Sequence, residues 1–281
     1  MKTVYIQANN KQILGAKLAK FAIRKYHPKN DIAIKIINVD DLDIFKAFSD
    51  HTYRRKGELV KYDRLDLQSF TLTRFMAPEI NGFDDLAIVI DPDIFALTDI
   101  EELFNLDMHG KAIMACAKKD AYDSSVMLLD CSKLKHWNIK TILSLLSEKK
   151  IDYHKLMTLS YERKNIAELS RIWNSLDYLD SNTKMLHTTE RLTQPWKTGL
   201  KIDFTRHNSG KIFGIIPRSL ILKLRGKYPS RYQEHPDKNI KKFFFNLTKE
   251  ALGSGFVKQS EIDQEIRLGH IRPDFMSQIP K

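Results

Sequence analysis

The chain is 281 residues long, 42% of them hydrophobic, and it carries a formal net charge of +11. This length and composition favour a folded protein with a substantial buried core, as one large domain with an appendage or as two domains. No apolar run approaches the roughly 20 residues of a membrane-spanning helix, and the N-terminal residues lack the apolar centre of a secretion signal, so we expect a cytoplasmic protein.

Strands and helices alternate along the first half of the sequence. Apolar and β-branched runs predict strands at 3–8, 32–39, 86–90, 111–117 and 125–129. Apolar residues at helical spacing predict helices at 13–24, 69–80 and 141–146. Such alternation indicates an α/β protein with a mainly parallel central sheet flanked by helices. The cysteines, Cys116 and Cys131, lack metal-ligand spacing, so we expect both to be reduced and buried.

Two aspartates, Asp91 and Asp93, directly follow an apolar predicted strand, with Pro92 between them. Ligands of parallel sheets bind beyond the carboxyl ends of the strands, and Mg²⁺ and Mn²⁺ prefer oxygen ligands, so this pair is a candidate metal site. The alternative is an ordinary turn, because proline and aspartate are common turn residues. Most of the neighbouring acidic residues flank a predicted helix that Thr98 would cap, which gives them a structural role.

The basic residues are concentrated near the C-terminus. Residues 198–281 hold sixteen lysines and arginines against eight acidic residues, which is +8 of the net charge. We therefore predict one domain at 1–200 and a basic, mostly helical extension at 201–281. Between 218 and 245, basic residues alternate with leucine, tyrosine and phenylalanine, which is typical of peripheral contact with an anionic membrane such as the inner membrane face. A solvated face of a helical tail is the alternative, and the sequence shows no nucleic-acid-binding motif.

Four segments, taken in order, resemble a known family. They are VYIQANN at 4–10, FTLTRFMAPEI at 70–80, IVIDPDIFALTDI at 88–100 and MLHTTERLTQPWKTG at 185–199. Together they resemble the family-eight glycosyltransferases of the glycogenin and bacterial galactosyltransferase kind, over about residues 1–200. The resemblance implies the nucleotide-diphosphosugar transferase fold called GT-A. It also implies transfer of a hexose from a UDP-sugar to a hydroxyl group of a glycan, lipid-linked or other acceptor, with retention of anomeric configuration.

The same resemblance implies a set of site residues. Asp91 and Asp93 match the family's Asp-x-Asp, and His187, ahead of Pro195-Trp196, matches its third metal ligand. The implied cofactor is Mn²⁺ or Mg²⁺. Without the family, a lone histidine such as His187 would be interpreted as a structural residue. The matching nucleotide-sugar-binding positions are Ala8, Asn9, Asn10, Arg74, Asp91, Asp123, Ser124, Gln194 and Lys197.

The segment that carries His187 departs from the family pattern. The usual His-x-x-Gly-x-x-Lys-Pro-Trp lacks its glycine here and is one residue longer. Gln194 stands in place of the lysine that binds phosphate in relatives. Lys197 and Arg191 are both candidates for the missing cation.

Two further segments differ from the family pattern. Residues 123–125, Asp-Ser-Ser, stand where relatives often have Asn-Ser-Gly, so they keep hydrogen-bonding capacity for sugar hydroxyls but lose the close backbone approach that glycine permits. The acid pair expected before Trp173-Asn174 is not evident, and the nearest upstream acids are Glu162 and Asp152. The acceptor site is therefore not predicted.

Two other functions stay open at this point. A sugar nucleotidyltransferase would share the α/β core and the carboxylate-bound metal, but it normally has a Gly-rich, Arg-containing loop after the first strand. Residues 7–11 contain no glycine. A non-catalytic protein on a degenerate GT-A fold would bind a nucleotide-sugar or a glycan without turnover.

Overall fold

The structure, a computed structural model, describes residues 2–188, 191–205, 211–212, 216–217 and 229–280. The strands are β1 (Thr3–Ala8), β2 (Ala33–Asn38), β3 (Thr52–Arg55), β4 (Glu58–Lys61), β5 (Leu86–Ile90), β6 (Ile94–Ala96), β7 (Ile113–Lys118), β8 (Ala121–Asp130), β9 (Ile166–Glu168), β10 (Ser175–Leu176), β11 (Met185–His187), β12 (Lys211–Ile212) and β13 (Ile216–Pro217). The α-helices are α1 (Ile13–Tyr26), α2 (Asp43–Ala47), α3 (Ala77–Ile80), α4 (Glu101–Phe104), α5 (Ile139–Ser147), α6 (Tyr153–Met157), α7 (Lys238–Gly253), α8 (Gln259–Arg267) and α9 (Phe275–Gln278). Within the described ranges, no helix combines the length and the apolar character needed to span a bilayer.

A six-stranded sheet in the order β2-β1-β5-β8-β7-β9 forms the centre of the fold. Strand β8 is antiparallel to β5 and β7, whereas the other neighbouring pairs are parallel. This confirms the prediction of an α/β fold with a mainly parallel sheet flanked by helices.

The centre of this sheet is covered on both faces. Side chains alternate along β5, so Ile88 and Ile90 join the hydrophobic cluster that contains α1, while Ala87 and Val89 join the cluster on the opposite face. All four are fully buried. Burial stabilises the fold by about 1.5–3 kcal/mol for each branched side chain, and it fixes the carboxyl end of β5.

A smaller sheet in the order β10-β11-β6 places two distant segments side by side. Strand β6 begins directly after the two aspartates and pairs antiparallel with β11, so that Ile94 lies opposite His187. The amide of Thr188 donates a hydrogen bond of 3.0 Å to the carbonyl oxygen of Asp93. This pairing brings His187 to the end of β5, although almost a hundred residues separate the two segments.

The C-terminal helices pack on the strands at the start of the chain. Phe244 of α7 is fully buried and stacks on Trp196, with 4.6 Å between the ring centroids. It also contacts Phe95 of β6 edge-on at 5.8 Å. Phe244 belongs to the same hydrophobic cluster as β1 and α1. The boundary near residue 200 stays a prediction, but the helices after it share a core with the strands before it.

The segment predicted to contact a membrane is described only in part. Residues 218–228 lie outside the described residues. In the described remainder, Tyr232, Phe244 and Phe245 are buried, and Phe243 is half-buried and packs against the core.

Most predicted elements are present, with three differences. The predicted helix at 69–80 is a 3-10 helix over Ser69–Met76 followed by the short α3, because Pro78 has no amide hydrogen with which to continue a helix. The strand predicted at 125–129 extends over the whole of β8. The prediction that Thr98 caps α4 is wrong, because Asp99 Oδ1 accepts the Glu101 amide instead, at 2.8 Å. Both cysteines are free and buried, as predicted.

Candidate metal and nucleotide-sugar site

Asp91, Asp93 and His187 meet at the carboxyl end of β5. Each offers a ligand atom that lies within 4.8 Å of the others, and all three residues are buried. His187 Nε2 lies 3.6 Å from Asp93 Oδ1. The set of donors, two carboxylates and one imidazole, is one that Mn²⁺ accepts, since carboxylate oxygens suit it and imidazole binds first-row divalent metals.

The electrostatics of the three residues also favour a cation. Burial, followed by the neighbouring charge of Asp91, raises the pKa of Asp93 to about 8. Burial likewise raises the pKa of Asp91, and Arg74 opposes that rise. Burial lowers the pKa of His187 to about 4, so its imidazole is neutral at pH 7, which is the form that binds metals. Two carboxylates buried at close range cost free energy unless a positive charge compensates them.

A chain of hydrogen bonds fixes the orientation of His187. Its Nδ1 lies 2.8 Å from Asn174 Oδ1, an acceptor, so the ring proton lies on Nδ1 and the lone pair of Nε2 faces Asp93. Asn174 Nδ2 donates to Ser125 Oγ at 3.0 Å, and Ser125 Oγ donates to Asp123 Oδ1 at 2.7 Å. Sequence reasoning used Asn174 only as a marker and missed this positioning role, which the bare dipeptide Trp173-Asn174 does not signal.

Arg74 holds Asp91 with two hydrogen bonds. Its Nε donates to Asp91 Oδ1 at 2.9 Å, and its Nη2 donates to Asp91 Oδ2. Its Nη1 donates to Ser124 Oγ at 2.8 Å. Arg74 and Ser124 were predicted to contact the nucleotide-sugar, and the structure places Arg74 against Asp91 and Ser124 against Arg74. Bidentate pairing of this kind fixes a carboxylate firmly, because the guanidinium fork matches its geometry.

Gln194 holds the second aspartate, Asp93, with a hydrogen bond. Its Nε2 donates to Asp93 Oδ2 at 2.9 Å, and its Oε1 is buried without a hydrogen-bond partner among the described residues. The Oε1 atom of Gln12 is likewise buried without a hydrogen-bond partner among the described residues. A buried amide oxygen without a partner is costly, so these two oxygens suit a bound group that supplies a donor or a cation.

The metal ligands open into a cavity of about 150 Å³. Its polar lining consists of Gln12, Gln68, Arg74, Asp91, Asp93, Lys118, Asp123, Ser125, His187, Arg191 and Gln194. Lys118 was not predicted, although it pairs with Asp123 at 2.7 Å. Burial opposes ionisation of Asp123, but Lys118 outweighs it and holds the pKa of that carboxyl below its usual range.

The predicted residues at the end of β1 do not line this cavity. Ala8 is fully buried. Asn9 is also buried, and its Nδ2 donates to the carbonyl oxygen of Leu67 at 3.1 Å and to Ser69 Oγ at 3.0 Å. Asn10 lies on the neighbouring surface, where its amide donates to a carboxylate oxygen of Asp40. Their role in nucleotide binding stays a prediction.

Other candidates have structural partners elsewhere. Lys197 is fully buried, with its Nζ 3.2 Å from Asp203 Oδ2, and it is not among the lining residues of the cavity. Glu162 accepts hydrogen bonds from Trp137 Nε1 at 2.9 Å and from Asn165. Asp152 caps α6. Neither acid faces the cavity, so neither supplies the acid group that the sequence left unassigned.

The solved structures similar to this chain include glycosyltransferases, and also a putative glucose-1-phosphate thymidylyltransferase from Bacillus anthracis with a TM-score of 0.31. The galactosyltransferase LgtC, solved in complex with donor and acceptor sugar analogues, has a TM-score of 0.49 and 13% identity, over 70% of this chain and 89% of that one. The glycosyltransferase GlyE of Streptococcus pneumoniae has a TM-score of 0.49 and 16% identity, over 83% of this chain and 65% of that one. Mouse xyloside xylosyltransferase 1 has a TM-score of 0.42 and 11% identity, over 68% of this chain and 98% of that one. No protein-family profile and no curated protein matches the chain.

Proposed function

We propose that the protein is a metal-dependent glycosyltransferase that moves a hexose from a UDP-sugar to a hydroxyl acceptor with retention of configuration. One observation carries the proposal: Asp91, Asp93 and His187, from segments far apart in sequence, converge within 4.8 Å at the carboxyl end of β5. Arg74 and Gln194, from two of the segments that carry the family resemblance, hold the two aspartates. Together these segments build one site, as the resemblance implies.

In the proposed reaction, the bond between the anomeric carbon and the diphosphate oxygen breaks, and the acceptor oxygen forms a bond to that carbon while its proton passes to the released UDP. Asp91, Asp93 and His187 would hold Mn²⁺ or Mg²⁺. That ion would supply positive charge to the diphosphate leaving group. Arg74 orients Asp91 and opposes the rise that burial causes in its pKa, and Asn174 keeps the Nε2 lone pair of His187 directed into the site.

Residues 123–125 offer groups for the sugar beside Arg74. Asp123 and Ser125 line the cavity, and Ser124 bonds to Arg74. Carboxylate and hydroxyl oxygens at this place suit hydrogen bonds to sugar hydroxyls. We assign no nucleophile, because every carboxylate of the cavity already has a defined partner or a metal-binding role.

The experiment is a panel of UDP-sugars incubated with Mn²⁺ and a set of acceptors, with product formation as the readout. We expect turnover with one donor, and its loss in Asp93→Asn, whose shape is retained while its charge is lost. Equal turnover in the wild type and in the variant would contradict the metal assignment. Failure of the wild type to bind UDP at all would contradict the family-level proposal.

A non-catalytic binding protein is the second candidate. It is favoured by the two acids Glu162 and Asp152, which have structural partners outside the cavity, and by the replacement of a cationic lysine by Gln194. Binding of UDP and Mn²⁺ without transfer or hydrolysis of any donor in the panel would select this candidate.

We also propose a cytoplasmic location and peripheral contact of residues 218–245 with an anionic membrane, on the basis of their basic side chains. Because the described aromatic residues of that segment are buried or half-buried against the core, such contact would be mainly electrostatic. Co-sedimentation with vesicles tests this, and binding that ignores lipid charge and salt would contradict it.

A further inference from the structure

We propose that Arg191 binds the diphosphate of the donor. The inference rests on the proposed function and deepens it, since the sequence left the choice between Lys197 and Arg191 open. Arg191 begins the short 3-10 helix Arg191–Thr193, three residues ahead of Gln194, and it lines the metal cavity.

Arg191 is the cation of the cavity wall that has no carboxylate partner among the described residues. Three cationic side chains line the cavity, and two of them are committed: Arg74 to Asp91 and Lys118 to Asp123. The contact that the structure gives to Arg191 is with an aromatic ring, at 5.5 Å from its guanidinium carbon to the centroid of Phe204. A guanidinium in this setting has its hydrogen-bond donors available for an anion.

Burial and one like charge make the positive charge of Arg191 costly, although Tyr153, Asp66 and Asp93 act in the opposite direction. Burial is the main effect that lowers its pKa, and the charge of Arg55 is the next. An arginine remains protonated in such a place, so the protein maintains a partly desolvated positive charge there. An anion at this position would offset the free-energy cost of the buried positive charge. Hydrogen bonds from Arg191 to that anion would be stronger than in water.

The charges of the cavity fit a diphosphate once a divalent cation is present. The carboxylates Asp91, Asp93 and Asp123 balance the cations Arg74, Lys118 and Arg191. A bound divalent ion would leave two positive charges in excess, which matches the two charges of a diphosphate diester. The cavity of about 150 Å³ also suits a small anion, because pockets for whole small-molecule ligands are typically about 300–1,000 Å³.

The other candidates for this role are occupied. Lys197 is fully buried beside Asp203, and its Nζ lies 5.5 Å over the ring of Tyr232, so it belongs to a different cluster. Gln194 carries no charge, and its Nε2 is used by Asp93. Arg191 therefore supplies the positive charge from the same segment.

Calorimetric titration of pyrophosphate into Mn²⁺-loaded protein tests the inference without relying on turnover. We expect Arg191→Gln to weaken pyrophosphate binding by roughly 10- to 100-fold, the size of a lost charge-assisted contact. Arg191→Lys should keep part of the affinity, because it keeps the charge but loses the planar fork. Both variants should bind Mn²⁺ at least as tightly as the wild type, since Arg191 is not a metal ligand and neither change adds positive charge, and this also verifies that the site is folded.

Arg267→Gln is the matched control, because Arg267 is an exposed residue of α8 and its loss changes the net charge equally. It should bind pyrophosphate like the wild type. The inference is overturned if Arg191→Gln binds pyrophosphate within about twofold of the wild type, or if Mn²⁺-loaded wild type binds no pyrophosphate.

Two further titrations, with UDP and with uridine, separate this inference from the proposed function. UDP binding that is equal in wild type and in Arg191→Gln would overturn the role of Arg191 alone. The opposite result is pyrophosphate binding that depends on Arg191 in a protein that neither binds UDP nor uses any UDP-sugar. That result would support the anion site at Arg191 and overturn the proposed function.

Discussion

Asn174 Oδ1 lies 2.8 Å from His187 Nδ1 and sets the tautomer of that imidazole. We expect Asn174→Ala to weaken Mn²⁺ binding by about 10- to 100-fold, as removal of the partner of a ligating histidine generally does, although every ligand remains. Titration with Mn²⁺ measures this effect. Asn182→Ala, at an exposed loop residue, should leave the affinity unchanged, and equal losses in both variants would argue against an orienting role.

Removal of the charge at Asp93 should have opposite effects with and without metal. Because burial raises the pKa of Asp93 to about 8, the metal-free fold must take up a proton at this group near neutral pH, where the unfolded chain leaves it ionised, and this destabilises the fold. Asp93→Asn should therefore melt a few degrees higher than the wild type in chelator and lose the increase in Tm that Mn²⁺ gives the wild type. A variant that still responds to Mn²⁺ would contradict the ligand assignment.

Arg74 should matter for stability as well as for the site. Arg74→Met would leave the buried carboxylate of Asp91 without its partner, which we expect to cost about 3–5 kcal/mol of unfolding free energy. Denaturant unfolding in chelator measures it. Ser124→Ala removes a smaller contact of the same guanidinium and should cost only about 1 kcal/mol. If the two variants were equally stable, the ion pair would not have the predicted importance.

Gly15 of α1 should tolerate no side chain. A Cβ atom placed there would lie 2.8 Å from the carbonyl oxygen of Pro92, in the loop between the two aspartates. We expect Gly15→Ala to cost about 1–3 kcal/mol and to weaken Mn²⁺ binding, because the loop must shift. Gly253→Ala at the end of α7 is the matched control, since nothing lies within 4 Å of its added Cβ. Mn²⁺ affinity that stays unchanged in Gly15→Ala would contradict the coupling.

His27 predicts a pH dependence that is independent of the metal site. Its ring nitrogens lie 2.7 Å from Asp31 Oδ1 and 2.8 Å from Asp99 Oδ1, and although burial lowers the pKa of His27, these two carboxylates outweigh it and raise the pKa. The resulting stability is complete below the unfolded pKa of about 6.5 and is lost as the pH rises through the higher folded pKa.

His27→Gln should therefore be less stable than the wild type at about pH 5.5, by about 0.5–1 kcal/mol, with a smaller difference at about pH 9. Denaturant unfolding at the two pH values measures the change. A penalty for His27→Gln that grows with pH would reverse the predicted sign.

The sequence predicted the parts of the site that depend on local patterns. An apolar run ending in Asp91-Pro92-Asp93 is visible in the sequence because a buried parallel strand and its carboxyl end need only a few adjacent residues. The position of His187 was available only through the family resemblance, since its approach to Asp93 depends on the pairing of β6 with β11. The role of Asn174 depends on two contacts across different sheets, which no local pattern encodes.

The choice between Lys197 and Arg191 likewise depends on tertiary contacts that the sequence does not show. Both follow His187 closely in sequence, so spacing does not separate them. Their surroundings in the structure separate the two residues. Lys197 is buried and paired with Asp203, whereas Arg191 lines the cavity. The capping of α4 by Asp99 rather than by Thr98 is a smaller case, in which neighbouring residues were both capable of the contact.

The stacking of Trp196 on Phe244 has a consequence for biosynthesis. Asp91 and Asp93 leave the ribosome early, but the segment that carries Gln194 rests on a helix made about fifty residues later. A nascent chain that has already formed its central sheet therefore still lacks the support of one wall of the cavity. Completion of that wall waits for α7, so a chain cut short before α7 would display the two aspartates and yet be unable to hold the neighbouring glutamine in place.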